Sequence, residues 1–164
     1  MQYTCSYSSP LGEMLIASDG SAVTGLWFIG QKYFGSTLEA EYAEKALPVF
    51  GQTVRWLDDY FQGNVPMEMP PVSFNSSSFR IRVWKLLMEI PYGHTVTYGE
   101  IARTLEKQTG RRICAQAVGG AVGHNPVSII VPCHRVIGSN GLTGYAGGLD
   151  KKLALLRLEG VNLH

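Results

Sequence analysis

The chain has 164 residues and a net charge of +1 at pH 7, and 45% of its residues are hydrophobic. This length suits one domain or two small ones, and the apolar content excludes wholesale disorder because it is sufficient to form a core. No run of about eighteen apolar residues is present, which excludes a transmembrane helix. The first residues also lack the basic and apolar segments of a secretory signal.

The three cysteines, Cys5, Cys114 and Cys133, form neither an even set nor a CxxC pair. This usage argues against a disulfide scaffold and against a structural zinc site, and it favours a reducing compartment. We therefore expect a cytoplasmic protein that is associated with no membrane and holds no metal, or a nuclear one if the source is eukaryotic.

Charge is distributed unevenly along the chain. Residues 1–75 carry three Lys or Arg against eight Asp or Glu, a balance of −5, whereas residues 76–164 carry eleven against five, a balance of +6. A polyanion would therefore prefer the second half, although ordinary surface scatter is an alternative reading.

The first half reads as a small α/β domain with an antiparallel sheet. Alternating and β-branched residues predict strands, joined at 18–21 by hairpin-turn chemistry, and they cover residues 3–8, 13–17 and 22–28. Residues 36–46 are helix-prone, and 47–61 form an amphipathic helical pattern. Three prolines between Pro66 and Pro71 then predict a linker to about Ser76, which gives domains at 1–75 and 76–164.

The second half reads as helical. Ser77 or Ser78 can cap a helix that ends by Pro91, and Thr97 with Glu100 forms a capping-box pattern for a helix to about Lys107. A short turn at 108–110 leads to a further helix over 112–122. Two short helices joined by a glycine-containing turn, in a basic half-chain, indicate a helix-turn-helix, although many such pairs bind nothing.

The helix over 112–122 is almost devoid of bulk. Its centre contains only Gln116 as a side chain able to address base edges, whereas a typical major-groove reader presents several. The pattern favours a helix that fits a groove by shape, and close packing against another helix is the alternative.

A candidate nucleophile follows the apolar run 127–131, which we predict to be a buried strand. Pro132 fixes the backbone before Cys133, and His134 and Arg135 supply the base and positive charge that lower a thiol pKa. His134 would act through a water, and Glu159, near the end of a helix over 150–158, is a candidate to orient its ring. An inert buried cysteine is the alternative.

The segment Ile130–Val136, IVPCHRV, resembles the active-site motif of the O6-alkylguanine-DNA alkyltransferases. The segments at 90–102, 117–126 and 143–149 resemble the family's first helix-turn-helix element, its recognition helix with hinge, and its substrate loop. The resemblance is strong over about 74–160 and extends only to general layout before that. It implies a ribonuclease H-like N-terminal domain and a winged-helix-like C-terminal domain with a helix-turn-helix.

The resemblance also implies a mechanism and a set of roles. A damaged guanine is flipped from double-stranded DNA, and the Cys133 thiolate takes its O6-alkyl group irreversibly, without cofactor, in a monomer. Tyr98 donates toward guanine N3, Asn125 braces the turn before the active site, Pro132 shapes the pocket, and the backbone of Cys133, Val136 and Ala146 addresses the base beside Tyr145. The implied DNA contacts are made by Arg80, Ala115, Gln116, Ala117, Gly119 and Arg135.

Several of these roles have structural alternatives. Tyr98 could simply pack at a helix start, and Glu159 could lie on the surface. Arg80 could face solvent, and Arg135 could pair with an acidic side chain within its domain instead of binding phosphate.

One residue departs from the family pattern. Gln116 stands where the family has an arginine that enters the base stack, and glutamine is neutral, shorter and a poorer stacking surface. We therefore expect weaker base flipping with intact chemistry. Two rival functions remain open: a non-catalytic sensor of alkylated DNA that recruits other repair factors, and a transcriptional regulator with a redox cysteine.

Overall fold

The computed structural model describes residues 1–139, 141 and 144–162. The chain divides into two compact units: one comprises Met1–Asn75 with Pro126–Ser128, and the other comprises Ser76–Asn125 with the chain from Ile129 onward. The short insertion 126–128 therefore belongs to the first unit, although it lies far along the sequence. No described helix is long and apolar enough to cross a membrane.

The first unit is a four-stranded sheet with one helix. Its elements are β1 (Gln2–Ser9), β2 (Gly12–Ser18), β3 (Val23–Phe28), β4 (Tyr42–Glu44) and α1 (Pro48–Phe61). The strand order is β3-β2-β1-β4, with β1–β2 and β2–β3 antiparallel and β4 parallel to β1. The core contains Ile16 and Leu26 from the sheet and Leu57 and Tyr60 from α1, all fully buried.

The predicted helix over 36–46 is wrong. The side chain of Gln2 donates to the carbonyl of Thr37 at 3.0 Å and accepts from the N–H of Glu39 at 2.6 Å, which satisfies backbone groups that a helix would otherwise pair. Tyr42–Glu44 then adds to the free edge of β1. Pairing with a distant strand thus overrides the local helical preference.

Part of the predicted linker also pairs with the sheet. The N–H of Val23 donates to the carbonyl of Pro71 at 2.7 Å, and the N–H of Ser73 donates to the carbonyl of Val23 at 3.0 Å. Residues 71–73 therefore extend the first unit beside β3.

The second unit is mainly helical. Its elements are α2 (Ser78–Leu87), β5 (Val96–Thr97), α3 (Tyr98–Thr109), α4 (Ala115–Gly123), a 3-10 helix at Cys133–Arg135, β6 (Val136–Ile137) and α5 (Leu149–Leu158). Ser77 caps α2, and both hydrogen bonds of the predicted capping box between Thr97 and Glu100 are present. Gly110 ends α3 in the left-handed conformation, with φ 71°, and β5 pairs in parallel with β6.

The predicted strand over 127–131 is wrong. Val127 forms only an isolated bridge to Leu26, and the chain then turns through Ile129, which has φ 69°. A β-branched residue in the left-handed region is strained, and it persists here because Ile129 is buried. The apolar run therefore indicated burial correctly but not extended geometry. The architecture as a whole confirms the predicted α/β fold class.

Candidate active site

The backbone before Cys133 holds its side chain inside the second unit. Pro132, with φ −82° and ψ 65°, precedes the 3-10 helix, and the N–H of Cys133 donates to the carbonyl of Val131 at 2.8 Å. The side-chain amide of Asn125 donates to the same carbonyl, also at 2.8 Å, so the turn between α4 and Cys133 is braced from within. Cys133 is only 5% exposed.

The carboxylate of Glu159, at the C-terminal end of α5, is the centre of a buried hydrogen-bond cluster. Its Oε2 lies 2.5 Å from Nε2 of His134, and its Oε1 accepts from Nε of Arg135 at 2.8 Å and from the N–H of Gly93 at 3.0 Å. Burial raises the pKa of this carboxyl, but the hydrogen bonds from His134, Arg135 and the backbone of Gly93 outweigh it and lower the pKa to about 2. Glu159 is therefore ionised at neutral pH.

The ring of His134 is fully buried. Burial lowers its pKa and outweighs the opposing effect of Glu159, so the imidazole is neutral at pH 7. Because the ionised Glu159 accepts a hydrogen bond, Nε2 of His134 carries the proton and Nδ1 is the basic nitrogen. The pair thus holds the imidazole as a base, with Glu159 fixing its tautomer.

Arg135 is not available to DNA. Its Nε and Nη2 donate to Glu159 at 2.8 and 3.2 Å, its Nη1 donates to the carbonyl of Ile90 at 2.7 Å, and its guanidinium stacks over the ring of Tyr92. The predicted DNA contact of Arg135 is therefore wrong, and the alternative of an internal ion pair is correct. The buried pair locks the 3-10 helix onto the end of α5.

The thiol of Cys133 is held by opposing influences. Burial raises its pKa, whereas a hydrogen bond with Asn125 and the charge of Lys152 lower it. Since burial has the largest effect, the thiol needs a base to ionise at neutral pH.

Lys152 is a functional candidate that the sequence analysis missed. It is fully buried, and its Nζ donates to the carbonyl of Val136 at 2.6 Å and to that of Gly144 at 3.3 Å. Burial lowers its pKa to about 8, and the charge of Cys133 opposes this shift. Its spacing offered a signal, because Lys152 shares one face of α5 with the buried Leu155 and Leu156 at i+3 and i+4.

Helix α4 presents a surface of small residues. Ala115, Gln116 and Ala117 are exposed, whereas Val118 and its later neighbours Ala121 and Val122 are buried. A side chain built on Gly119 would meet the ring of Tyr98 at 3.9 Å, which places that ring beside α4. Gln116 is the only long side chain on the exposed part of this helix.

The other predicted site residues lie at several places in the same unit. Val136 directly follows the 3-10 helix, and Tyr145 and Ala146 lie in the loop before α5, where the N–H of Gly148 donates to the carbonyl of Tyr145 at 2.9 Å. Arg80 is half-buried in the first turn of α2. Thr143, the first residue of the predicted substrate loop, lies outside the described residues.

Within the described ranges, no group of three or more His, Cys, Asp or Glu side chains could hold a metal ion. The groups that the fold brings together at this site are a thiol, a neutral imidazole, an ionised carboxylate and a buried ammonium. Such a set can generate a thiolate in a confined space, which is what nucleophilic displacement requires.

Comparison with known proteins assigns both halves of the chain. The model of the 6-O-methylguanine DNA methyltransferase DNA-binding domain matches residues 78–161, and the model of the ribonuclease-like domain of the same proteins matches residues 2–70. The chain therefore belongs to the methylated-DNA–protein-cysteine methyltransferase family.

Individual relatives agree with this assignment. A methylated-DNA–protein-cysteine methyltransferase of Mycobacterium tuberculosis is 45% identical over 152 residues, which are 92% of this chain and 88% of the relative. The crystal structure of the O6-methylguanine methyltransferase of M. tuberculosis has a TM-score of 0.82 at 41% identity, and the match covers 97% of this chain and 93% of the M. tuberculosis chain. The structure of M. tuberculosis OGT in complex with DNA has a TM-score of 0.80 at 41% identity, with 96% and 91% covered.

The buried carboxylate of Glu159 should contribute to the stability of the folded chain. Glu159→Gln leaves the Arg135 charge without its partner, so we expect the free energy of unfolding to fall by about 3–5 kcal/mol at pH 7. The pKa of Glu159 is lower in the folded chain than its ordinary value of 4.5. Its stabilising effect is thus complete above that value and is lost as the pH falls toward 2.

Urea unfolding of the wild-type and Glu159→Gln proteins between pH 2 and pH 7 tests this prediction. The difference in the free energy of unfolding between the two proteins should narrow as the pH falls from about 5 toward 2. Glu106→Gln, a change of the same kind on α3, should lower the free energy of unfolding only slightly at any pH. A constant difference for Glu159→Gln across the range would contradict the ion-pair account.

Proposed function

We propose that this protein repairs DNA by transferring the alkyl group of O6-alkylguanine in duplex DNA to Cys133, once per molecule. The observation that carries the proposal is the buried cluster in which Glu159 orients His134 as a base next to Cys133 in sequence. Membership of a methyltransferase family whose name specifies a protein cysteine as acceptor supports the same assignment.

The proposed reaction is a single displacement. The thiolate sulfur of Cys133 attacks the alkyl carbon, a sulfur–carbon bond forms, and the bond from carbon to guanine O6 breaks. The electron pair of the broken bond passes to the guanine, which leaves once it has gained a proton. A thioether is stable and has no leaving group that water could replace readily, so the protein is consumed.

The proton of the Cys133 thiol leaves through a water to Nδ1 of His134, the nitrogen that the Glu159 hydrogen bond leaves basic. The ammonium of Lys152 supplies positive charge that favours the thiolate. In this proposal Lys152 also positions the substrate loop, since it joins the carbonyl of Gly144 to that of Val136.

The guanine is received by groups that the family resemblance suggests. The hydroxyl of Tyr98 donates toward N3 as the base becomes a leaving group, and the N–H of Ala146 faces O6. The carbonyls of Cys133 and Val136 accept from the exocyclic amine, while Pro132 and Tyr145 shape the walls of the pocket.

Burial of the nucleophile is the reason to propose base flipping. With Cys133 only 5% exposed, a guanine stacked in a duplex could not bring its O6-alkyl group to the sulfur. The small exposed residues of α4 allow close approach to a DNA groove, with Gln116 at the position that would fill the vacated space. All of these groups come from one chain, so a monomer suffices for the reaction. The reaction also needs a reduced cysteine, which suits the reducing cytoplasm.

Mass spectrometry tests the transfer. After incubation with an oligonucleotide duplex containing O6-methylguanine, the wild-type protein should gain one methyl group on the peptide that contains Cys133. Cys133→Ala should gain none while retaining most of its DNA affinity, because it lacks only the thiolate. Binding without any mass gain in the wild-type protein would instead identify a sensor of alkylated DNA, and a methyl group on Cys133→Ala would refute the nucleophile.

The side chain at position 116 should affect how readily the guanine is flipped out of the duplex. Unstacking a base costs a few kcal/mol, and an arginine at this position would offset more of that cost than glutamine because it adds charge and a planar stacking face. Gln116→Arg should therefore strengthen duplex binding and speed repair of O6-methylguanine in DNA by a free-energy gain of about 1–2 kcal/mol.

Two controls separate flipping from chemistry. Reaction with free O6-benzylguanine needs no flipping, so Gln116→Arg should leave its rate almost unchanged. Gln116→Lys adds the same charge without the planar face and should recover only part of the gain in duplex DNA. An equal effect of Gln116→Arg on both substrates would show that residue 116 does not occupy the vacated space.

A further inference from the structure

A basic groove runs between the outer face of α2 and the C-terminal end of α3, away from the residues of the proposed chemistry. It consists of two adjoining cavities of about 510 and 410 Å³ that share Ser78, Arg82 and Gln108 in their walls. We call this feature the α2–α3 groove. No step of the alkyl transfer uses any of its residues.

Cationic side chains line most of its length. Arg82 and Lys85 are exposed and lie one helical turn apart on α2, about 4.5 Å along the axis, and Arg111 lines the opposite end. Gln108 adds a side-chain amide and Thr109 a hydroxyl beside Arg111. Glu89 is the acidic residue in the walls and lies in the cavity that Arg111 does not reach. An elongated groove with cations repeated along it suits a polyanion better than a single small anion.

The position of Arg111 connects the groove with α4. Arg111 directly follows the glycine that ends α3 and stands four residues before Ala115, the first residue of α4. The turn between the two helices is short, so the basic end of the groove adjoins the N-terminal end of α4. A strand of DNA whose lesion lies against α4 could continue toward the groove without leaving the surface of this unit.

We propose that the α2–α3 groove binds backbone phosphates of the same duplex, to one side of the flipped guanine, through Arg82, Lys85 and Arg111. This inference rests on the proposed function, since it requires the DNA to lie against α4. The groove contributes affinity and orientation but no sequence or lesion specificity, because phosphate contacts carry no base information. The binding free energy from these phosphate contacts would replace part of the stabilisation of the opened duplex that an arginine at position 116 would give and Gln116 does not.

The salt dependence of binding gives the most direct readout. Each phosphate contact contributes about 0.9 to the slope of log affinity against log salt concentration. The triple variant Arg82→Gln, Lys85→Gln, Arg111→Gln should therefore flatten the slope for a duplex by about 2 to 3 and weaken binding several-fold or more at low salt. Its reaction with free O6-benzylguanine should match that of the wild type, which also shows that the variant is folded.

A matched control separates the groove from net charge. The triple variant Lys32→Gln, Lys107→Gln, Arg157→Gln removes the same three charges from exposed positions outside the groove walls. It should change the slope much less. Equal slopes for the two triple variants would overturn the proposal and leave only a general charge effect.

Glu89 allows a test by gain of function. Glu89→Lys reverses the acidic charge in the groove, so it should tighten duplex binding and steepen the salt slope, whereas Glu106→Lys on α3 should do so less. No difference between these two variants would overturn the proposal. If instead the wild-type protein failed to gain methyl from DNA, the proposed function would fail by the mass measurement, whatever the slopes were.

Discussion

The carboxylate of Glu159 is the contact on which the rest of the site depends. It accepts from the backbone of Gly93, from the ring of His134 and from the guanidinium of Arg135. Gly93 lies in the turn before β5, His134 and Arg135 lie in the 3-10 helix Cys133–Arg135, and Glu159 itself ends α5. One buried side chain thus fixes three separate pieces of the second unit relative to each other and sets the tautomer of His134.

Charge balance explains how such a cluster can favour a thiolate. Glu159 and Arg135 neutralise each other, His134 is neutral, and Lys152 brings one further positive charge into the interior. The positive charge of Lys152 lowers the pKa of Cys133, so it counteracts the effect of burial on the thiol.

The parts of this structure that local chemistry determines could be predicted from the sequence. The capping box of Thr97 and Glu100 is an interaction between neighbouring residues, and the sequence PCHRV indicated the family through its resemblance to the family's motif. The strand Tyr42–Glu44 was missed because it depends on pairing with β1 and on the amide of Gln2. The turn at Ile129 was missed because an apolar run signals burial in either geometry. Lys152 was missed because lysine side chains are rarely buried, so sequence reasoning assigns them to the surface. For Arg135 the sequence left a phosphate contact and an internal ion pair open, and only the fold decides between them.

We propose that the buried charges around Cys133, and not its thiol alone, favour the thiolate that the transfer requires. The most direct test is an ultraviolet titration of the Cys133 thiolate in the wild-type and Lys152→Met proteins, with Lys151→Met as the control for its neighbour. Cys133→Ala supplies the baseline for the other cysteines and the tyrosines. We expect the midpoint of the Cys133 signal to shift to higher pH in Lys152→Met and to stay in place in Lys151→Met. An unchanged midpoint in Lys152→Met would contradict it, because the buried ammonium would then be a structural tie between two carbonyls and nothing more.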